Sequence, residues 1–191
     1  MAEIEAEEGV RSTYFVLLHS EFYNSLEAEA VKRFRTISDL GHDIGLHFDA
    51  SFHAPFADQL ALEDALVFEK SIVERVFGGE VGVFSFHNPE IGGALSFDAD
   101  TLGGMINAYG RDLKAKYGYC SDSDGYWRFK RLSKFLEGGE TYGQVLTHPE
   151  WWTPSPMLPR ERVQRAIDGR AKATGDWYDD LLLRLGRHNA R

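Results

Sequence analysis

Only one cysteine, Cys120, stands in this chain of 191 residues. That excludes an intrachain disulfide and any zinc site built from several thiolates of one chain. The expected role of Cys120 is that of a small buried hydrophobe on a short strand. No apolar run approaches the roughly 18 residues a helix needs to cross a bilayer. The opening residues, Met1-Ala2-Glu3-Ile4-Glu5-Ala6-Glu7-Glu8, are acidic where a secretory signal would be basic and then apolar. A cytoplasmic protein without a membrane span is therefore expected. Basic charge is also short: 21 Lys and Arg face 30 Asp and Glu, a net charge of -9, which argues against a nucleic-acid partner. Arg160, Arg162, Arg165, Arg170 and Lys172 are the densest basic stretch, but acidic residues are interspersed, so they read as a solvated helix face. Missing too are a Walker or dinucleotide phosphate loop and the Gly-x-Ser-x-Gly turn that serine hydrolases use.

What is present is ample apolar material, 43% of residues, for one domain spanning 1–191. Residues 1–9 read as the last turns of a helix stopped at Gly9, with its beginning missing. Residues 10–18 are nearly continuous in hydrophobicity, as suits a strand covered on both faces. Helical spacing follows over residues 26–40, with Gly41 as the stop. Ile44, Leu46 and Phe48 then alternate as in a strand, leaving His47 and Asp49 on the opposite face. A helix is predicted over 60–77, a strand over 81–86, short strands over 117–121 and 142–147, and a short helix over 129–137. A closing helix over 159–187 carries Val163, Ile167, Trp177, Leu181 and Leu185, with a break expected near Gly175. Residues 92–112 are Gly-rich and read as irregular. Strand alternating with helix predicts an α/β fold with parallel strands.

Several predicted strands deliver reactive side chains at their carboxyl ends: His19, then His47 and Asp49, then His87, then His148, with Asp122 and Asp124 after another. Sites in α/β sheets and barrels are assembled in this way, each strand end contributing a group. Imidazole and carboxylate together suit zinc or another divalent cation. Asp122-Ser123-Asp124-Gly125 starts like a calcium loop, but Ser133 occupies the twelfth position, so an Asp-stabilised turn is expected instead. Trp127, Trp151 and Trp152 lie beside these groups and offer flat apolar faces of the kind that bind sugars, although one of the adjacent pair is better placed in a core.

In order, these motifs resemble the NodB-homology polysaccharide deacetylases, and more narrowly the divergent WbmS-like branch found with bacterial surface-polysaccharide genes. Ser12-Thr13-Tyr14-Phe15-Val16 is similar to that family's Ala-Thr-Phe-Phe-Val strand. Gly41-His42-Asp43-Ile44-Gly45-Leu46-His47 resembles its Gly-His-Glu-Ile-Gly-x-His segment, the most specific of the matches. Phe86-His87-Asn88-Pro89 takes the place of its Arg-x-Pro loop, residues 122–127 resemble its Asp-and-Trp motif, and Leu146-Thr147-His148-Pro149 resembles its Leu-x-His. The resemblance implies a distorted (β/α)7 barrel, here incomplete at the N-terminus, and a metal-dependent hydrolase removing an acetyl group from an N-acetylated sugar or nucleotide sugar. It implies a divalent metal, commonly zinc, with His47 as a ligand and His148 as the acid that protonates the leaving amine.

The chain departs from the family pattern in three places. The paired aspartates of the family's first strand are absent, so either the start is truncated or the site is incomplete. Ser51 stands where the second His of His-x-x-x-His would be, so that His53 reaches in from a longer loop or Asp49 replaces it. The loop arginine has become His87, which could be a third ligand. The expected catalytic groups are thus His148, His87, Asp122 and Asp49, with His47 and His53 on the metal and Asn88, Trp127 and Trp151 against the sugar. A barrel without its first strand exposes unpaired edges, which favours a homodimer. The alternative is a catalytically silent deacetylase-like scaffold that binds carbohydrate or a protein partner.

Overall fold

The computed structural model describes residues 1–127 and 130–188. The chain divides into two compact units, Met1–Gly118 and Tyr119–Arg191, each described by itself. The first is mixed α/β. Helix α1 (Ala2–Glu7) leads to β1 (Thr13–Leu17), α2 (Ala28–Asp39), β2 (Asp43–Asp49), the single turn α3 (Ala50–His53), α4 (Gln59–Phe77) and β3 (Val83–His87). A hairpin of β4 (Thr101–Leu102) and β5 (Met105–Asn107) and the short α5 (Arg111–Lys116) complete it. The five strands are ordered β1-β2-β3-β5-β4. β1, β2, β3 and β5 run parallel, and β4 returns antiparallel beside β5. This sheet is open: β1 forms one edge and β4 the other, so it does not close into the seven-stranded barrel that the resemblance implies.

The core follows from two periodicities. Along β2 and β3 the pairs Leu46↔Phe84 and Phe48↔Phe86 turn one face of the sheet toward α4, whose Leu62, Leu66, Val73 and Phe77 are buried at intervals of about one or two turns. Each such side chain contributes about 1.5–3 kcal/mol on burial. Asp58 caps α4, its carboxylate accepting from the Ala61 N–H at 2.9 Å, and Gly78 at φ +85° ends it. The other face of β2 and β3 carries His47, Asp49, Ser85 and His87.

Residues 92–112, read as irregular from sequence, hold the hairpin. Gly103 and Gly104 both take positive φ, +56° and +73°, as a two-residue turn of this hand requires. Buried Asn107 ties the preceding loop down, donating to the carbonyls of Phe97 and Ala99 at 3.1 and 3.0 Å and accepting from the Tyr109 N–H.

The second unit contains a two-stranded sheet of β6 (Gly118–Ser121, beginning on the last residue of the first unit) and β7 (Gly143–Leu146), the short α6 (Leu132–Glu137), and α7 (Pro159–Arg184). The break expected near Gly175 does not occur. A helical glycine costs only about 1 kcal/mol relative to alanine, and the Lys172–Asp176 ion pair spans the position. Cys120 is buried on β6 as expected.

Candidate metal centre and neighbouring histidines

The expected ligand His53 meets partners other than His47. It closes α3, and its ring lies flat on Phe48, centroids 5.1 Å apart and planes 4° from parallel. His47 and Phe48 are successive strand residues and face opposite sides of the sheet, so His53 and His47 belong to different faces. On the Phe48 side, His53 Nε2 is 2.5 Å from Glu69 Oε1, and His19 Nε2, from the segment after β1, is 2.9 Å from the same oxygen. One donor atom from each of His19, His53 and Glu69 lies within 4.8 Å of the other two. Phe52 stacks on His19 at 3.5 Å, so both imidazole planes are held by aromatic neighbours.

Glu69 sets the electrostatics. It occupies the buried stripe of α4 between Leu66 and Val73 and is 0% exposed. Oε1 receives both imidazoles, while Oε2 is buried with no hydrogen-bond partner among the described residues. Leaving a buried acceptor unmatched costs about 1–3 kcal/mol, and a bound cation would remove that cost. His19 and His53 are only partly buried, so the group is reachable from solvent on their side. Two imidazoles and one carboxylate with an open side form the donor set of a catalytic rather than a closed zinc site. The residues present thus fit a divalent metal.

The opposite face of β2 carries a different arrangement. His87 Nδ1 is 3.2 Å from His47 Nε2, and the Asn88 amide nitrogen is 2.9 Å from His87 Nε2. An amide N–H can only donate, so His87 accepts at Nε2, carries its proton on Nδ1 and donates to His47. Asn88 sits at φ +44°, a left-handed conformation that asparagine tolerates, and this turns its amide back onto the ring. Phe15 lies over the neighbouring backbone: a Cβ on Gly45 would be 2.7 Å from its ring. Asp49 has a local task, its carboxylate accepting from the Ser51 N–H at 2.9 Å and the Ser51 hydroxyl at 2.6 Å to cap α3. His42 is structural: Nδ1 accepts from the Ser12 N–H and Nε2 donates to the Ala2 carbonyl, fastening α1 to the start of β1.

In the second unit Asp122 is 2% exposed and its two oxygens are fully engaged. The His148 ring donates from Nδ1 at 2.7 Å, the His148 backbone N–H lies 3.1 and 3.2 Å from the two oxygens, and the Trp152 indole donates at 3.1 Å. The tryptophan that joins the aspartate is thus Trp152. Trp151 is half-buried, with a ring edge against Gly125. Trp127 lines an open cavity of about 470 Å³ with Gly125, Tyr126 and Arg131.

Of the expected residues, the structure joins His47 with His87 and Asn88, and His148 with Asp122. Sequence reasoning placed His19 at a strand end without assigning it a ligand role, and it missed Glu69. The missed signal was a lone charge in the apolar stripe Leu62, Leu66, Glu69, Val73, Phe77. No protein-family model matches the sequence, and no curated protein matches it. No helix among the described residues is long and apolar enough to cross a membrane.

Proposed function

We propose that the chain is a divalent-metal-dependent hydrolase whose metal, zinc by the chemistry of its donors, is held by His19, His53 and Glu69. The acetyl amide of an N-acetylated sugar is the substrate class that the resemblance implies. The observation that carries the metal is the wholly buried Glu69 carboxylate, one oxygen shared by two imidazoles and the other unmatched. A divalent cation, when bound, polarises an amide carbonyl and brings the ionisation of water near neutral pH. The chain's own residues supply the rest. Phe48 and Phe52 hold the two imidazole planes, and the α4 core fixes Glu69.

Within the second unit, the hydrogen bond from His148 Nδ1 to Asp122 fixes the orientation of the ring that the resemblance casts as an acid. On the other face of β2, Asn88, His87 and His47 form a hydrogen-bonded chain that lies apart from the metal donors. A second reading, carbohydrate binding without turnover, draws on the aromatic cavity at Tyr126, Trp127 and Arg131.

The test is metal analysis of the purified chain after equilibration with zinc, paired with acetate release from a panel of N-acetylated sugars. The expected result is stoichiometric zinc and acetate release, with both lost in Glu69→Gln. Zinc binding by Glu69→Gln equal to that of the parent would end the metal assignment. Stoichiometric zinc with sugar-dependent tryptophan quenching and no acetate would favour the second reading.

A further inference from the structure

The closing helix has no buried residue along its length. α7 runs for 26 residues, and residues 165–180 are exposed without interruption. Its first turns lie against the Pro149–Trp151 segment, and beyond them the helix has large apolar side chains in solvent: Ile167, Trp177, Tyr178 and Leu183. A helix with two internal glycines, Gly169 and Gly175, each costing about 1 kcal/mol, gains little stability from propensity alone. Helical stability in proteins comes chiefly from packing an apolar face, and here, among the described residues, Ile167 and Trp177 of that face are exposed and Val163 and Leu181 only partly buried.

The stripe itself indicates what covers it. Val163, Ile167, Arg170, Thr174, Trp177 and Leu181 follow one another at alternating steps of four and three, the spacing of a helix-pairing seam. This pattern is symmetric on reversal. A two-fold axis at residue 172 sets Val163 against Leu181, Ile167 against Trp177, and Arg170 against Thr174, so apolar meets apolar on both sides and the polar pair meets at the centre. Charge has the same sense. Residues 159–173 carry Arg160, Arg162, Arg165, Arg170 and Lys172 against Glu161 and Asp168, whereas residues 174–183 carry Asp176, Asp179 and Asp180 and no base. Antiparallel pairing sets the basic half beside the acidic run; parallel pairing would stack like on like.

We propose that α7 forms the interface of a homodimer, its apolar stripe packed antiparallel against that of a second copy of this chain. The contact is isologous, as closed two-fold dimers require. It does not depend on the metal site.

Sedimentation of the full chain over a dilution series reads the association directly. The expected result is a dimer for the parent chain and a monomer for Ile167→Glu and for Trp177→Glu, with unchanged far-ultraviolet circular dichroism. Leu183→Glu, on the outer side of the helix, is expected to leave the dimer intact. Orientation is read by oxidative cross-linking: Ile167→Cys mixed with Trp177→Cys links efficiently, while Trp177→Cys alone does not. A parent chain that stays monomeric throughout overturns the proposal, as does a dimer that survives both glutamate substitutions. Efficient self-linking of Trp177→Cys overturns the antiparallel arrangement.

Discussion

Glu69 and Asp122 are both buried carboxylates touched by histidine, yet their surroundings differ. Asp122 receives an imidazole, a backbone N–H and an indole N–H, so both of its oxygens are matched. Glu69 receives two imidazoles on one oxygen and nothing among the described residues on the other. A satisfied buried carboxylate organises its donors and gains no further stability from a cation. A half-satisfied one is a standing cost that a cation removes. The same residue chemistry therefore points to an orienting role at Asp122 and a ligand role at Glu69.

Substitution by leucine sharpens this difference most. Asp122→Leu strands the His148 backbone N–H and the Trp152 indole while removing the partner of the His148 ring. It is expected to destabilise the second unit by about 3–5 kcal/mol. Glu69→Leu completes an apolar stripe instead and leaves two imidazoles that reach solvent, so in the presence of a chelator it should stabilise the first unit by about 1–2 kcal/mol. Urea titrations with EDTA present measure both. Equal losses at the two positions would break the contrast, because they would mean that Glu69 is already matched in the metal-free protein.

Zinc is expected to reverse the ranking at Glu69. At free zinc about a hundred times its dissociation constant, the parent chain should gain about 2.7 kcal/mol by linkage, and Glu69→Leu and His53→Ala should gain none. Asp122→Asn should keep the full gain, since nothing in its surroundings calls for a cation. Thermal melts with and without zinc decide between these outcomes.

Much of the fold is legible in the chain because apolar periodicity reports directly on faces. The alternation of Ile44, Leu46 and Phe48 located β2, and Gly41 marked the end of α2 as expected. The β4–β5 hairpin was not legible: its strands have two and three residues, too short for a period-two pattern, although Gly103-Gly104 is a turn signal. Histidine grouping was legible only in part, since strand ends can be read from sequence but side-chain direction beyond them cannot. His53 follows His47 by six positions, and the single turn of α3 carries the second ring onto Phe48, on the far side of the sheet from the first. Glu69 comes from a helix 16 residues further on, so no local spacing joins it to either.

A third carboxylate, Glu5, tests the comparison at its weak end. Its Oε2 accepts a hydrogen bond from the Tyr14 hydroxyl at 2.6 Å, joining α1 to β1. Burial first, and then the hydrogen bond and charge of Glu5, raise the Tyr14 phenol above its usual range. In the unfolded chain the phenol loses its proton near pH 10, whereas in the folded chain it keeps it to higher pH. The unfolded state therefore binds fewer protons above that point, and stability falls with rising pH. Below about pH 10 the bond contributes in full, about 1 kcal/mol for a single partly exposed pair. Tyr14→Phe should therefore cost about that much at pH 8, and the cost should shrink above pH 10 as the parent loses its advantage. Urea midpoints measured from pH 8 to 11 follow this directly. A difference between the two chains that stays constant across the range would show that the hydroxyl packs without exchanging its proton with Glu5, and that carboxylate contacts in this fold matter only where they are fully buried.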